Sequence, residues 1–434
     1  MTKNKIDINL NETTHSKFSL MGHFSVSPDI KTILKGSTGI FEYSDGMAKI
    51  KMMPLLFTKK DKNAQFVVND SDDATIFGFL EDGTYIRVNI FYSNYYVQHL
   101  PGSSVIYYVA TDIDFSKSDF TCEEDYSRTI IRYDSLDEFA DFIVPDLSNI
   151  DKSEGKSPLL LETNKYCDIF LKYECHEKEN KISLTRRANV ELEILIKKHS
   201  PVINSFINNF GAFLSVINNS RRNIISTRCF DKENNCILLH LTSSSKTKRN
   251  GQVDYSDGLT SEFNFFNYQD KLTTIVDNIF NANDQFNKLV QNYVFNIDDE
   301  LNYDSALINY VSAIDIFMNG STYHNGKKIS SLFCKLKIWL QRFPDQLYGL
   351  LFDENKKDTE DEKRDYFLHS LVDTRDYLIH YEKVSSNYLI PEVQKVKYIK
   401  QLRTLIHIYI LFTYGIPEKY LLKYYFKYEI EKIS

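Results

Sequence analysis

The stretch Leu371-Val-Asp-Thr-Arg-Asp-Tyr-Leu-Ile-His-Tyr-Glu382 decides how the last third of this 434-residue chain is interpreted. Its apolar residues recur at spacings of three and four, which predicts an amphipathic helix. On a helical wheel, which advances about 100° per residue, Arg375 falls in the centre of the apolar stripe. A charge in an apolar seam is costly unless it is paired or faces water. Arg375 therefore marks either a buried ion pair or a wet functional surface.

Polar and titratable side chains gather on the flank of the same helix, about 140° around the axis from Arg375. They are His369, Asp373, Asp376 and His380. Asp376 and His380 are four residues apart, so their side chains can touch on a helix. We therefore expect Asp376 to fix the orientation and tautomer of the His380 ring.

Arg375 and His380 together carry the groups that metal-free RNA cleavage needs. Attack by the 2′-hydroxyl requires a base, the leaving 5′-oxygen requires an acid, and an imidazole serves either step near neutral pH. A guanidinium can hold the negatively charged phosphate by two hydrogen bonds. The alternative is that Arg375 pairs with Asp315 on the preceding helical hairpin while His380 caps its own helix. Chemistry alone favours the ion pair, and the residues leave both possibilities open.

From about residue 299 onward the chain is predicted to be helical. The predicted helices are Tyr303–Met318, Lys328–Phe343, Lys363–Glu382, Pro391–Tyr414 and Pro417–Glu431. Two Asn-Gly pairs and a charged loop over 353–362 separate the earlier helices, and Gly415 before Pro417 separates the last two. Short and charged connections between helices are typical of an up-and-down bundle.

The first half of the chain has strand character. Ile86, Val88 and Ile90 alternate with polar residues, and Asp45-Gly46 and Asp82-Gly83 each separate two strand-like runs, as in tight hairpins. We predict an α+β, multidomain protein. Its expected parts are a β-rich domain over 1–195, a mixed α/β connecting region over 196–298 and an all-α bundle over 299–434.

Charge is distributed unevenly along the chain. The net charge is −7, but residues 301–434 hold 19 Lys and Arg against 17 Asp and Glu, so the excess of acidic residues lies in the first 300. A basic run interleaved with tyrosines suits single-stranded RNA, although a solvated helix face gives the same pattern. The candidate RNA-binding residues are Lys395, Lys397, Lys400, Arg403, Lys419, Lys423 and Lys427.

Several classes of site find no support in the sequence. The six cysteines include no Cys-x-x-Cys pair, and no phosphate-binding glycine loop or hydrolase motif occurs. We therefore expect no metal and no cofactor. The start of the chain has no apolar core, and the run from Thr404 to Ile416 is too short to span a bilayer. We expect a cytoplasmic protein that does not enter a membrane.

The stretch Leu371–Glu382 also resembles the signature of HEPN-domain ribonucleases, in which an arginine and a polar residue precede a short spacer and a histidine. Leu307–Phe317 is similar to the early HEPN helix, with Asp315 where a glutamate is customary, and Ile329–Leu336 follows in family order. Phe18-Ser-Leu-Met-Gly-His-Phe24 and Gly39-Ile-Phe-Glu-Tyr43 resemble the β-rich domain of ApeA-type anti-phage proteins.

The resemblance implies a metal-independent endoribonuclease that acts as a homodimer through its HEPN bundle and leaves a 2′,3′-cyclic phosphate. Its catalytic residues would be Arg375, His380 and Asp376, supported by Asp315, Asp373 and Tyr381. The implied role is abortive infection, with tRNA as the expected target and a phage-derived trigger acting at the amino-terminal domain. Two alternatives remain. One is a non-catalytic HEPN scaffold or RNA-binding module, and the other is a carbohydrate- or peptide-binding β-domain with a helical dimerisation tail.

Overall fold

A computed structural model describes most of the chain. The described residues are 17–44, 47–52, 74–92, 106–120, 126–134, 136, 159–180, 183–242, 269–297, 302–323, 326–352, 361–380 and 388–427. The chain divides into two compact units. The first comprises residues 1–137, 151–199 and 223–252, and the second comprises 138–150, 200–222 and 253–434.

The first unit is built on one antiparallel sheet of twelve strands. The strands are β1 (Lys17–Ser25), β2 (Ser37–Ser44), β3 (Met47–Met52), β4 (Ala74–Leu80), β5 (Tyr85–Tyr92), β6 (Ile106–Ser116), β7 (Arg128–Tyr133), β8 (Leu159–Thr163), β9 (Cys167–Asn180), β10 (Ser183–Ile196), β11 (Ile224–Phe230) and β12 (Cys236–Thr242). Their order is β3-β2-β1-β4-β5-β6-β12-β11-β7-β10-β9-β8, and a further pairing of β3 with β6 closes the first six into a ring. A short helix, α1 (Ile30–Leu34), follows β1.

The alternation read from the sequence sets the two faces of this sheet. Ile86 and Val88 are fully buried in a core that also contains Phe41 and Phe115. At the hairpin between β4 and β5, Gly83 has a φ of +89°, a conformation that glycine adopts at little cost. The Asp82 side chain accepts a hydrogen bond from the Thr84 amide at 3.0 Å, which fixes the turn. The residues of the other predicted turn, Asp45-Gly46, lie outside the described residues.

Helices form the regular structure of the second unit. They are α2 (Pro201–Ile217), α3 (Gln269–Phe280), α4 (Asp284–Phe295), α5 (Tyr303–Phe317), α6 (Leu332–Gln341), α7 (Asp345–Leu351), α8 (Glu362–His380), α9 (Glu392–Thr413) and α10 (Glu418–Lys427). The α+β organisation predicted from the sequence is thus confirmed. Helices are present at each of the five predicted positions, their described ends lie within about four residues of the predicted ones, and α7 was not predicted.

The connecting region expected over 196–298 contributes to both units. Its helix α2 begins with Ser200 as the capping residue and Pro201 at the first position, and it buries Phe206, Phe210 and Phe213 in the helical unit. Strands β11 and β12 instead complete the sheet of the first unit, between β6 and β7. The two parts of the region go to different units for a physical reason. Helix α2 has apolar side chains on several faces, so it packs among other helices. The strands β11 and β12 have unpaired backbone groups along their edges, so they pair with neighbouring strands of the sheet.

Helix α8 packs against α5 and α6, and two polar contacts hold its orientation. Arg364 is 0% exposed; its Nε donates to Asp365 at 2.7 Å, and its Nη1 donates to the Tyr348 hydroxyl at 3.3 Å. Ten residues later, the buried Thr374 hydroxyl accepts a hydrogen bond from the Ile390 amide at 2.9 Å. Residues between them, including Phe367 and Leu371, are buried. These contacts determine which face of α8 remains outside.

Replacement of Arg364 should therefore destabilise the helical unit. Arg364→Ala removes a buried guanidinium and leaves Asp365 with Lys337 as its remaining partner, so we expect the free energy of unfolding to fall by about 3 kcal/mol. The chain has one tryptophan, Trp339, which is buried in the same unit. Its fluorescence during urea unfolding reports this change directly. Lys363→Ala, at the exposed neighbouring position, is the control, and an equal loss in both variants would contradict the assignment.

Candidate functional site

The face of α8 that points away from the packed helices carries His369, Asp373, Asp376 and His380, the polar flank predicted from the sequence. Together with Glu362 and Tyr366, they lie at alternating spacings of four and three along the whole helix, and we call this set the outer stripe. On a helical wheel it lies opposite Arg364, Phe367, Leu371 and Thr374, all of which are buried. The flank of polar residues predicted from the sequence is therefore one continuous surface.

Arg375 lies in the buried sector of α8, four residues after Leu371, where the helix emerges from its packing. Its side chain is 21% exposed, and its Nη1 donates to the Asp376 carboxylate at 2.7 Å. The Nε atom is buried and has no hydrogen-bond partner among the described residues. The bond to Asp376 brings one edge of the guanidinium toward the outer stripe.

The buried ion pair between Arg375 and Asp315, which the sequence left open, does not form. Asp315 instead accepts a hydrogen bond from Lys335 Nζ at 2.6 Å, and the same ammonium reaches Asn319 at 2.8 Å. Lys335 lies on α6, which packs against α5, and it satisfies the carboxylate that Arg375 was expected to hold. Any support that Asp315 gives the site therefore passes through Lys335.

His380 is exposed at the last residue of α8. The expected hydrogen bond from the His380 ring to the Asp376 carboxylate is absent, and no described residue forms a hydrogen bond with the imidazole. The Asp376 carboxylate is engaged by Arg375 instead. Tyr381, the next candidate, lies outside the described residues. The structure thus places Arg375, Asp376 and His380 on adjacent turns without joining the histidine to the other two.

Asp373 lies one turn before Asp376 on the outer stripe and is partly buried. Burial raises the pKa of its carboxyl above the ordinary value; the nearby His369 opposes this shift, and the negative charge of Asp376 adds to it. Asp373 consequently holds its proton to a higher pH than an exposed aspartate does.

The candidate RNA-binding residues fall into three groups. Lys395 is 8% exposed and forms ion pairs with Asp304 and Glu392. Arg403 donates a hydrogen bond to the Asn219 side chain at 2.9 Å. Both side chains therefore contact other residues of the helical unit. Lys400 and Lys419 are exposed, and Lys397 is partly exposed. Lys423 and Lys427 lie on α10, but their side chains are outside the described part of the structure. The basic run is therefore an interrupted surface.

Two other histidines, His407 and His369, have structural contacts in the helical unit. His407 is a core residue; its Nε2 lies 2.9 Å from the Val216 carbonyl, and burial lowers its pKa to about 3. His369 stacks on the Phe333 ring at 4.2 Å between centroids, which the sequence did not indicate because the two lie on different helices.

Within the described ranges, no three His, Cys, Asp or Glu side chains come together in a way that would hold a metal ion. Among the same residues, no helix combines the length and apolar character that crossing a bilayer requires.

The comparison with known proteins finds a match over part of the chain. Residues 231–420 match the family model described as Apea-like HEPN. The match covers α3 through α9 and includes Arg375 and His380. It begins well before the boundary placed at residue 299. No curated protein and no solved structure matches the chain significantly. The resemblance read from the Arg-His stretch is confirmed.

A structural role for Arg375 can be tested separately from any chemistry. Its partner is the adjacent, part-exposed Asp376, and its Nε has no partner to lose. Arg375→Met should therefore change the free energy of unfolding by less than about 1 kcal/mol, measured by Trp339 fluorescence in urea. The loss in the free energy of unfolding measured for Arg364→Ala is the reference for this comparison. A loss for Arg375→Met as large as that for Arg364→Ala would show that Arg375 is a structural residue.

Proposed function

We propose that this chain, which carries an Apea-like HEPN domain over residues 231–420, is a metal-independent endoribonuclease of anti-phage defence. The observation that carries the proposal is the state of Arg375. It is a permanent cation in an otherwise buried sector, its one acidic partner is its neighbour Asp376, and its buried Nε has a hydrogen bond to offer. A part-dehydrated guanidinium of this kind gains from binding a phosphate.

The reaction supported by this geometry is attack of the 2′-hydroxyl on the adjacent phosphorus. An imidazole removes the proton of the 2′-hydroxyl as the new oxygen–phosphorus bond forms. The bond to the 5′-oxygen breaks, and an imidazolium supplies the proton that this oxygen needs. The products are a 2′,3′-cyclic phosphate and a free 5′-hydroxyl. Arg375 stabilises the additional negative charge on the phosphate, and it exchanges its bond to Asp376 for bonds to phosphate oxygens.

Two copies of the chain complete this site. One histidine cannot act as base and acid in the same step, and Arg375 and His380 diverge by about 140° around α8. A second α8 packed against the first supplies another imidazole and another guanidinium to one cleft. Ile379, beside His380, is 38% exposed, and Tyr377 is also exposed. Apolar side chains exposed next to a polar site favour a protein partner at that place.

The family match and the distribution of charge support a proposal for the substrate and the role. A net charge of −7 opposes general binding of nucleic acid, so RNA must meet a local surface, for which Lys400 and Lys419 are exposed. We propose tRNA as the RNA, cleaved so that translation stops during phage infection. The β-rich first unit would hold the nuclease inactive or respond to a phage-derived trigger.

A second candidate function is a HEPN scaffold or RNA-binding module without catalysis. The observation that favours it is His380, which has no hydrogen bond to a described residue that would orient its ring. Expression in cells separates the two functions. A nuclease is toxic when induced and loses its toxicity with His380→Ala, whereas a binding module is tolerated equally in both forms.

RNA cleavage by the purified full-length chain should persist in excess EDTA and should leave a 2′,3′-cyclic phosphate. His380→Ala and Arg375→Ala should each lower the cleavage rate by roughly 10² to 10⁴, because each removes a group that acts in the transition state. Gel analysis of labelled RNA and chemical mapping of the cut ends measure both results. His199→Ala, an exposed histidine of the first unit, is the matched control. Cleavage that survives in both site variants would refute this assignment.

The composite cleft predicts that cleavage depends on dimerisation. Ile379→Asp places a charge at the proposed contact, so we expect light scattering to show a monomer and the cleavage rate to fall at least tenfold. The unfolding of the unit should change little, because this position is already exposed. Val393→Asp makes the same substitution at an 89% exposed residue of α9 and should remain an active dimer. A fully active Ile379→Asp monomer would contradict the composite cleft.

A further inference from the structure

A cavity of about 340 Å³ opens beside the first half of α8. Its lining residues come from the outer stripe, from the adjacent Asp365 and from the segment before α9: Glu362, Asp365, Tyr366, His369 and Tyr388. The volume lies at the lower end of the range of roughly 300–1,000 Å³ typical of small-ligand sites. It suits one planar group of modest size.

Aromatic rings form a continuous run along this cavity. Phe333 stacks on His369 with centroids 4.2 Å apart, His369 lies 5.0 Å from Tyr388, and Tyr388 lies 5.6 Å from Tyr366. Tyr366, at the end of the run, is 50% exposed. Unpaired RNA bases stack on aromatic side chains of this kind. The run therefore offers a stacking surface for a flat ring.

The charged groups that line the cavity are acidic. Asp365 is held by Arg364 Nε at 2.7 Å and by Lys337 Nζ at 3.0 Å, which fix the position of its carboxylate. Glu362 is exposed, and its carboxylate has no hydrogen-bond partner among the described residues. No lysine or arginine is among the lining residues. Carboxylates accept hydrogen bonds and repel phosphate, so the group bound here must present N–H donors.

Guanine fits these requirements better than the other bases. Its Watson–Crick edge presents two adjacent donors, the ring N1–H and the N2 amino group, which match the two oxygens of one carboxylate. Adenine and cytosine each present one amino group beside a ring acceptor, and uracil presents one N–H between two carbonyl oxygens. A carboxylate facing those acceptors is repelled, and such mismatches generate discrimination between bases.

We propose that this cavity binds a guanine of the RNA substrate, with Glu362 accepting from its Watson–Crick edge and Tyr366 stacking on its ring. The proposal rests on the proposed ribonuclease function and gives it a sequence preference. Tyr366 and His380 are fourteen residues apart on one helix face, a distance of about 21 Å along the axis. The guanine therefore belongs to a nucleotide some way along the strand from the scissile phosphate, which lies near His380.

Binding by a non-cleaving protein tests the cavity without requiring activity. The full-length His380→Ala chain is titrated into short fluorescent single-stranded RNAs that differ in one base, guanine or adenine, and anisotropy gives the dissociation constants. We expect guanine to be favoured roughly tenfold, since a bidentate contact to a base discriminates by this order. Adding Glu362→Gln should remove the preference, because an amide offers a donor where the carboxylate offers an acceptor.

Matched variants separate recognition from folding. Glu233→Gln makes the same chemical change at an exposed turn of the first unit and should keep the preference. Tyr366→Ala should weaken binding of the guanine RNA severalfold, while Tyr366→Phe, which keeps the ring, should not. Because Glu362 and Tyr366 are exposed, these substitutions leave the buried face of α8 unchanged.

The possible outcomes distinguish this proposal from the function on which it rests. Equal binding of guanine and adenine RNAs, or a preference that survives Glu362→Gln, overturns the guanine site even if the protein cleaves RNA. A preference that depends on Glu362 in a protein that cuts no RNA supports the site and overturns the nuclease.

Discussion

The rotation of helix α8 about its own axis is the constraint on which the candidate site depends. The buried Arg364 holds the start of the helix through Asp365 and Tyr348, and Thr374 holds its later turns through Ile390. A rotation of about 100°, one residue position on the helical wheel, would turn the outer stripe toward the packed helices and bring part of the apolar face to the surface. Both sets of contacts give buried polar groups the hydrogen bonds that they would lack if the helix were rotated. They therefore favour one orientation of α8 as well as adding stability. The chemistry at one end of α8 and the cavity at the other follow from it.

Placing Arg375 in the buried sector of α8 costs desolvation free energy that its contacts do not offset. Its aliphatic stem continues the buried sector, its Nε makes no hydrogen bond to a described residue, and its partner Asp376 is the next residue along the helix. An adjacent, part-exposed carboxylate stabilises the folded state little, since both groups remain close together in the unfolded chain. What the arrangement does provide is a guanidinium whose hydration is already partly lost. Binding an anion there needs less desolvation than at an exposed lysine such as Lys400, and this favours a site for phosphate over a structural ion pair.

The sequence predicted the helices, the strands and their buried and exposed faces better than it predicted which side chains contact each other. Apolar spacing located α8 and its polar flank, and the Asp82-Gly83 pair located a hairpin, because both signals are local. The sequence left open whether Asp315 pairs with Arg375, since a helical wheel describes one helix and cannot show that Lys335 approaches from α6. Lys395 was grouped with the exposed cations for the same reason, although it is buried in an ion pair. The cavity beside α8 was missed because residues of two separate segments, α8 and the segment before α9, line it.

The outer stripe carries three carboxylates, Glu362, Asp373 and Asp376, and in the proposed ribonuclease they would limit the form of RNA that this face can bind. A double helix presents its phosphates outward on both strands, so it would bring negative charge against negative charge along the length of α8. A single strand can turn its bases toward the helix and keep its phosphates away, except near Arg375, where one phosphate finds a cation. The same acidic residues that weaken general affinity therefore select unpaired RNA and set its direction of approach, with bases toward the rings and one phosphate toward the guanidinium. A loop of a folded RNA meets this requirement, whereas a duplex stem does not.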